Sequence, residues 1–464
     1  MNKYETLLAK WQAILGKTKE FDPQSCMNAG EKATPEEIAE IETSLNIKLP
    51  PSFANAISHI GKTFEFSYFL NDYVLPNKLK DNFSGRINWD VSMLCSMQEC
   101  MGDEYYDDED DKDDDYIEKM KSLYQFSYVG NGDIYVFDMS ADTEEKPVLY
   151  WDHETDEIFY IANSFGDYLE KITELYCAGN EIWQIEGFLD EGGLNTVTEK
   201  ALFWKNWFET FTTTKLADVQ DNFDKLFQFA LCRKSNDEQT IAALQQFGKA
   251  QLFDKLKETL KNGEFPQEAV CEMLALHIGD FAKEWLTNIW ENAQVRQTNS
   301  ILSLEFDGIN ILPNLICYLS ANCLDKDTGA KYAIRFLEQQ YGSGPGLYTF
   351  ACVYLKHFDA KQIIPWLQAN LTTRSDWWGR LFIDVKPDWD TFLRWSELDE
   401  KYQSALVEGL YYFVTKPYKI ANLPTKQELV VFLQGLKERQ LLSTRKRMID
   451  DVLGKIDCFY DTPA

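Results

Sequence analysis

The side chains best placed to do chemistry lie in one short segment, Trp151-Asp152-His153-Glu154. Neighbouring carboxylates favour the protonated form of an imidazole, so the segment could belong to a catalytic cluster. Neither a nucleophile nor a second base is identifiable near it in the sequence, however, and such a cluster requires one. We therefore predict a structural role for the segment and assign no catalytic residue. The chain is expected to be a binding protein rather than an enzyme.

Metal ligation is disfavoured by the distribution of the histidines. Each of the four lies in its own predicted element, at His59, His153, His277 and His357. None has H-E-x-x-H or H-x-x-x-H spacing, which would place two imidazoles on one helix face.

A calcium-loop count can be fitted to the acidic residues that follow position 102. It places carboxylates at loop positions 1, 3, 5 and 12, which are Asp107, Glu109, Asp111 and Glu118. Loop position 6, where an EF-hand needs glycine for its sharp turn, is Lys112, whose positive charge opposes a cation. Neither a metal site nor a cofactor is predicted.

The ten cysteines are scattered along the chain without a C-x-x-C pair. The closest pairs are Cys95 with Cys100 and Cys317 with Cys323, and most of the ten fall inside apolar helical patterns. A free cysteine in such a pattern packs as a small hydrophobic residue. We expect reduced thiols in a reducing cytosol rather than disulfides or zinc ligation.

Residues 103–118, which we call the acidic arm, carry 11 acidic residues and one lysine. Mutual repulsion predicts an extended, solvated loop. The arm is either an inert insertion or an electrostatic surface for a partner's Arg and Lys side chains, and its interleaved tyrosines favour the second interpretation. The predicted partner-binding residues are Tyr105, Tyr106, Asp107, Asp108, Glu109, Asp110, Asp111, Asp113, Asp114, Asp115 and Tyr116.

The net charge of −29 is concentrated in the N-terminal part of the chain. Residues 1–190 contain 39 acidic and 15 basic residues, a balance of −24. Such a surface repels nucleic-acid phosphates and anionic lipids, whereas it attracts a basic protein. No apolar run reaches the roughly 18–20 residues of a membrane span, and no secretory signal is visible, so we expect a cytoplasmic protein.

The order of predicted elements in the N-terminal part indicates an α+β domain. Helices are predicted over residues 3–15, from Thr34 and from Ser52, and Thr34-Pro35-Glu36-Glu37 has the pattern of a capping box. Strands are predicted at 64–70, 124–129, 134–138, 148–152 and 157–161, followed by a helix that Ser164 begins.

Beyond residue 195, helical patterns follow one another at intervals of roughly 15–20 residues to the end of the chain. We predict a domain over residues 1–178, a glycine-containing linker over 179–195 and an all-α domain over 196–464. The helical domain is interpreted as a HEAT-like array, with an irregular bundle as the competing fold.

Residues 30–177 resemble the SUKH superfamily of bacterial toxin-immunity proteins and fungal cell-wall synthesis regulators. The resemblance rests on a capped acidic helix, an "LP" stop, a helix leading to a glycine, a Gly-Asp-bearing hairpin, a Trp-Asp-His-Glu turn and a Ser-Phe-capped last helix. The positions that carry it are Leu49, Pro50, Gly61, Gly130, Gly132, Asp133, Trp151, His153, Ser164 and Phe165. The resemblance implies mainly structural roles for these residues.

The resemblance also implies a function without chemistry. An immunity protein of this kind would bind and neutralise a cognate toxin, and the acidity suggests a basic toxin that acts on nucleic acid. The alternative is a regulatory scaffold like the fungal members. Neither nucleic acid nor membrane is expected as a partner.

Overall fold

The computed structural model describes residues 2–102, 114–342, 345–372, 377–415 and 422–461. The chain divides into two compact units, Met1–Leu244 and Gln245–Ala464. The first unit mixes helices and strands and the second is mostly helical, so the predicted fold class is confirmed.

The described elements of the first unit alternate between helices and short strands. In order they are α1 (Lys3–Thr18), β1 (Cys26–Ala29), α2 (Pro35–Leu45), α3 (Pro51–His59), β2 (Thr63–Phe69), β3 (Ser84–Asp90), β4 (Cys95–Ser96), α4 (Met97–Met101), α5 (Asp114–Lys121), β5 (Leu123–Tyr128), β6 (Ile134–Asp138), β7 (Val148–Trp151), β8 (Ile158–Ala162), α6 (Phe165–Glu174), α7 (Ile182–Ile185), β9 (Leu189–Asp190), β10 (Gly193–Leu194), α8 (Glu199–Thr213), α9 (Leu216–Val219), α10 (Phe223–Arg233) and α11 (Glu238–Gln245). Short 3-10 helices lie at Asn77–Leu79, Val91–Met93 and Glu186–Phe188.

Two antiparallel sheets build the α+β domain, one of three strands in the order β1-β2-β3 and one of five in the order β4-β5-β6-β7-β8. β9 and β10 form a separate two-stranded ribbon. The capping box predicted at the start of α2 is confirmed, because Thr34 and Glu37 each bond the other's backbone N–H. Ser164 likewise caps α6.

The main core is an aromatic cluster around Phe165, the first residue of α6. Its ring centroid lies 5.0 Å from that of Phe53 on α3, 5.5 Å from Trp89 on β3 and 5.3 Å from Phe126 on β5. Phe165 is fully buried, and it joins both sheets to α3. Aromatic pairs of this geometry contribute about 0.5–1.5 kcal/mol each beyond burial, which explains how a short helix can fix two sheets.

A second, smaller core covers the opposite face of the five-stranded sheet. Its buried members are Met97, Met120, Leu123, Ile134, Val136, Leu149 and Trp151. α4 and α5 supply the two methionines, so these helices form a cover over the sheet face. Side chains alternate across a strand, which is why Val136 faces this cover while Phe137 faces the aromatic cluster.

A disulfide bond joins Cys95 on β4 to Cys100 on α4. The expectation that all cysteines are reduced is therefore wrong for this pair. The two residues are five apart, and the turn from β4 into α4 brings their Cα atoms to 6.4 Å, within disulfide range. The remaining eight cysteines carry thiols, and six of them are buried.

The segment predicted as a linker, residues 179–195, is folded against the α+β domain. Gln184 is 2 % exposed, its carbonyl accepts a hydrogen bond from Asn82, and its side-chain amide donates to Ser84. α8 also packs on the domain, since Trp204 Nε1 donates to the carbonyl of Leu175 at 2.7 Å. The boundary between compact units consequently falls after Leu244 instead of near residue 178.

The described part of the second unit consists mostly of helices. They are α12 (Lys249–Asn262), α13 (Gln267–His277), a 3-10 turn (Gly279–Ala282), α14 (Lys283–Asn292), α15 (Pro313–Cys323), α16 (Lys326–Tyr341), α17 (Pro345–Tyr354), α18 (Ala360–Asn370), α19 (Trp377–Asp384), α20 (Trp389–Ser396), α21 (Glu400–Thr415), α22 (Lys426–Arg439) and α23 (Ser443–Asp461). α13 packs on α15, α15 on α16, α17 on α19, α19 on α21, and α21 on α23. Packing between near neighbours along the chain is the order expected of a helix array.

A small antiparallel sheet interrupts these helices. Its strands are β11 (Gln294–Thr298), β12 (Ile301–Phe306) and β13 (Ile309–Ile311). Residues 294–311 therefore depart from the predicted all-α domain, and α15 begins only at Pro313. The Asp307-Gly308 turn, with φ of 52° and 74°, has the left-handed geometry of a tight hairpin.

Candidate protein-binding surface

A buried carboxylate, Asp133, fixes the turn between β5 and β6. It is 3 % exposed and accepts hydrogen bonds from His153 Nδ1 at 2.6 Å, from the His153 backbone N–H at 3.0 Å and from Asn131 Nδ2 at 2.7 Å. The Tyr150 hydroxyl donates to the same carboxylate. These contacts tie the β5–β6 turn to the end of β7, and we call this group the Asp133 clasp.

The clasp holds a charged pair at the edge of the domain. Burial raises the pKa of Asp133, but the hydrogen bonds from His153, Tyr150 and Asn131 outweigh it and lower that pKa below its usual value. The hydrogen bond to Asp133 raises the pKa of His153, and Glu154 and Asp152 add to the effect. Each group therefore favours the charged form of the other, as in a structural ion pair.

The structure gives the Trp-Asp-His-Glu turn a positioning role. Ligand atoms of Asp133, Asp152 and His153 lie within 4.8 Å of one another, a spacing at which three such groups can hold a metal ion. Hydrogen bonds already use both oxygens of Asp133, and Asp152 accepts from the backbone N–H groups of Glu154 and Thr155. The same carboxylates thus fold the turn by hydrogen bonding.

Next to the clasp lies an exposed surface with two large aromatic side chains, Tyr128 and Trp183, which are 43 % and 42 % exposed. Trp183 Nε1 donates to Glu181 at 2.5 Å, and Glu181 also accepts from Asn131 Nδ2 at 3.5 Å. The Tyr128 carbonyl accepts from Asn88 at 3.1 Å. We define Asn88, Tyr128, Asn131, Glu181 and Trp183 as the Tyr128–Trp183 surface.

Exposed aromatic side chains are typical of the anchors of protein–protein interfaces, and the Trp183 ring is held in place by its hydrogen bond to Glu181. β3, the β5–β6 turn and the segment before α7 meet at this surface, where Gly85 and Gly179 form a parallel bridge. The scaffold below the two aromatic rings is therefore ordered before any partner binds.

A second exposed feature is an acidic turn between β7 and β8. Residues 152–157 contain four carboxylates, and Glu154 and Glu157 are exposed. The Tyr116 hydroxyl on α5 lies 3.4 Å from Asp156 and accepts a hydrogen bond from Trp151 Nε1 at 3.1 Å. The C-terminal end of the acidic arm is thereby joined to another acidic segment.

Most of the predicted partner-binding residues lie outside the described residues. These are Tyr105, Tyr106, Asp107, Asp108, Glu109, Asp110, Asp111 and Asp113. Asp114 and Asp115 begin α5, so the arm ends in a helix. Tyr116 is half-buried against the second core, so part of its ring is used in holding α5 to the sheet.

The remaining motif residues occupy structural positions. Leu49 is buried before Pro50, which precedes the first turn of α3, and Phe165 is the centre of the aromatic cluster. Gly61 faces the backbone of Gly30 so closely that a Cβ would lie 2.7 Å from the Gly30 oxygen. Gly130 and Gly132 have φ of 100° and 116°, which side-chain-bearing residues rarely adopt.

Comparison with known families points to the same part of the chain. Residues 32–171 match the model of the SMI1 / KNR4 family (SUKH-1). This region is a SUKH-superfamily domain. The match covers less than a third of the chain and lies wholly within the first unit.

Membership of the SUKH superfamily places the domain among immunity proteins and SMI1-like regulators, which are generally not enzymes. Neither the curated proteins nor the solved structures contain a match to the chain. Across the described ranges, no helix has the length and apolar character needed to span a bilayer.

Sequence reasoning did not single out the Tyr128–Trp183 surface. Tyr128 ends an apolar strand and Trp183 lies in a segment predicted as a linker, so neither position indicates exposure. A weak signal exists in Glu181-Ile182-Trp183, where a tryptophan close to a carboxylate follows Gly179-Asn180. A tryptophan in a buried core can have the same local sequence pattern, so this signal does not distinguish an exposed tryptophan from a buried one.

Proposed function

We propose that this chain is an immunity protein that binds and neutralises a basic, nucleic-acid-targeting toxin through its SUKH domain. The observation that carries the proposal is the junction of two acidic segments. The Tyr116 hydroxyl, near the end of the acidic arm, bonds Asp156 in the turn 152–157, so two segments rich in carboxylates are joined at this contact. Repulsion between two acidic segments lowers the stability of the folded state. Binding of a basic partner would account for an acidic surface that folding alone does not favour.

The chemistry of the toxin follows from the charge of this surface. A groove that binds nucleic acid is lined with Lys and Arg, which neutralise phosphates. Carboxylates presented by the arm and by the turn 152–157 would occupy the same cations and exclude the nucleic acid. The Tyr128–Trp183 surface would supply the apolar anchors that make such a complex slow to dissociate.

No covalent step is required for this function. Long-range attraction between opposite charges raises the association rate, and buried aromatic contacts lower the dissociation rate. The helical unit, which lies outside the family match, would offer a further binding surface or a second immunity module.

A regulatory scaffold like the SMI1-type members is the second candidate. The observation that favours it is the helix array of the second unit, because such arrays present extended surfaces to several partners. The two functions differ in stoichiometry, since an immunity protein forms one tight complex and a scaffold forms several weaker ones.

Co-expression separates these functions. The full chain is produced in cells together with the toxin domain encoded by the adjacent reading frame, and growth and co-purification are recorded. The proposal predicts restored growth and one complex of defined stoichiometry. Unrelieved toxicity without co-purification would contradict it, and an adjacent biosynthetic gene with several weak partners would support the scaffold.

A further inference from the structure

We propose that the helical unit contains a binding pocket for an alkylammonium group, such as the side chain of lysine or methylated lysine in a partner protein. The pocket is a cavity of about 440 Å³ between α21 and α23. Glu408, Tyr411 and Tyr412 line it from α21, and Met448 and Asp451 line it from α23. Cavities of a few hundred Å³ are of the size that binds small organic groups.

Two aromatic rings form adjoining walls of this cavity. The rings of Tyr411 and Tyr412 lie edge to face, with centroids 6.0 Å apart and planes at 83°. The face of an aromatic ring is negative and attracts a cation within about 6 Å, and both tyrosines line the cavity. The same arrangement is used for quaternary and methylated amines.

The two carboxylates give the cavity a negative charge that matches an ammonium ion. Glu408 and Asp451 lie on facing helices, so a cation between the rings would be near a carboxylate on either side. Met448 contributes a flexible, polarisable wall suited to the alkyl part of the ligand. Aromatic faces, carboxylates and a thioether together select a cation with apolar substituents over a hydrated inorganic cation.

A lysine of the chain already lies over one of the two rings that line the cavity. Nζ of Lys455, on α23, lies 4.2 Å from the centroid of the Tyr411 ring. Lys455 is half-buried, and the long lysine side chain can swing towards solvent at small cost. An incoming alkylammonium would displace Lys455 from Tyr411, so Lys455 competes with the ligand.

The test follows the methyl resonance of Met448 in the full-length protein. The resonance is assigned with the variant Met448→Leu, and the protein is titrated with four probes. They are N-acetyl-lysine methylamide, its Nε-trimethyl derivative, the neutral N-acetyl-norleucine methylamide and choline. The first two represent a protein ligand, and choline represents a free quaternary amine.

Saturable shifts with the cationic probes and none with norleucine are expected. Lys455→Met should tighten binding about 2- to 30-fold, the range of one cation–π contact. Tyr411→Phe should retain binding, whereas Tyr411→Leu and Asp451→Asn should weaken it. If choline binds more tightly than both lysine probes, the site still recognises an alkylammonium group, but its ligand is a free amine and not a protein side chain.

Lys401 provides the matched control. Its Nζ lies 5.2 Å from the centroid of the Tyr402 ring on the same helix, α21, and that ring does not line the cavity. Lys401→Met should leave the affinities unchanged. Equal binding of the norleucine probe, or no saturable shift in either wild type or Lys455→Met with native unfolding temperatures, would overturn the proposal. The outcome is independent of toxin binding by the SUKH domain.

Discussion

Nδ1 of His153 lies 2.6 Å from Oδ1 of Asp133, although 20 residues separate them in sequence. The pair closes the gap between the β5–β6 turn and the end of β7. It also places the ring of His153 flat against Gly132, where a Cβ would lie 3.0 Å from the ring atoms. The turn next to the Tyr128–Trp183 surface is therefore fixed by one ion pair and one glycine.

The ion pair should make the SUKH domain less stable at alkaline pH. The pKa of His153 is raised in the folded state, so its stabilisation is fully present below about pH 6.5 and is lost as the pH rises through the raised value. Urea midpoints from pH 5 to 9 should fall less steeply for His153→Gln than for wild type. The pKa values of His277 and His357 are lowered by burial, which gives the opposite slope, and the wild-type-minus-variant difference removes their contribution. An identical pH profile for both proteins would contradict the pair's role.

Loss of the Asp133 charge should destabilise the domain. Asp133→Asn keeps the shape but removes charge-assisted bonds to His153 and Tyr150, so we expect a decrease of about 2–3 kcal/mol in the free energy of unfolding. Tyr150→Phe, which removes only one of these bonds, should cost about 1 kcal/mol. Denaturant unfolding followed by tryptophan fluorescence measures both values. If both substitutions lowered the free energy of unfolding by the same small amount, Asp133 would not be the centre of the clasp.

A side chain at position 61 should destabilise the protein, whereas a side chain at position 16 should be tolerated. In Gly61→Ala the new methyl would lie 2.7 Å from the Gly30 oxygen, and the backbone must move, at a cost of about 1–3 kcal/mol. Gly16 lies within α1, and a Cβ added there would have open space for 4 Å around it, so Gly16→Ala should stabilise by about 0.5–1 kcal/mol. Thermal unfolding of the two variants should shift in opposite directions. A gain of stability in both would show that the Gly61 contact relaxes freely.

The Cys95–Cys100 bond should stabilise the cover formed by α4 and α5. Cys100→Ser removes a short loop constraint worth about 2 kcal/mol, so amide exchange should accelerate over residues 97–101 and 114–121. Cys26→Ser, which alters a half-buried free thiol on β1, is the matched control and should leave these segments unchanged. Alkylation of both Cys95 and Cys100 in the native, unreduced protein would show that the bond does not form.

Charge on the turn 152–157 should set the association rate with a basic partner. Glu154 and Glu157 are exposed, so Glu154→Gln with Glu157→Gln should slow association about 2- to 10-fold at low salt and reduce its salt dependence. Glu40→Gln with Glu144→Gln changes the net charge equally at exposed positions outside this turn and is the control. Stopped-flow mixing with the toxin domain measures both. Equal slowing by the two pairs would indicate an effect of net charge alone.

Local patterns predicted the elements that local forces determine. The capping box at Thr34, the Ser164 cap and the β5–β6 hairpin depend on residues close to one another in sequence, and each was predicted. β3 was missed because Gly85 and Arg86 interrupt its apolar pattern, although Gly85 is the residue that lets the Tyr68 ring approach.

Features that depend on strand register could not be predicted. His153 was placed beside Asp152 and Glu154 by sequence, but its main partner is Asp133, which the β6–β7 pairing brings to it. α4 was not predicted because it is only five residues long, and α5 was not predicted because Met120 stands within strongly polar sequence. The Asp307-Gly308 dipeptide is typical of a hairpin turn, but the helical patterns on either side of it favoured a helix in the prediction.

The most direct measurement of the central claim is a titration of the toxin's own activity. The purified toxin domain encoded beside this gene is assayed on its nucleic-acid substrate with increasing amounts of the full-length chain. Neutralisation by the SUKH domain predicts a linear fall in activity that reaches zero at a fixed molar ratio, and a shallower curve for the Glu154→Gln and Glu157→Gln pair. Full toxin activity in a large excess of the chain would contradict the account.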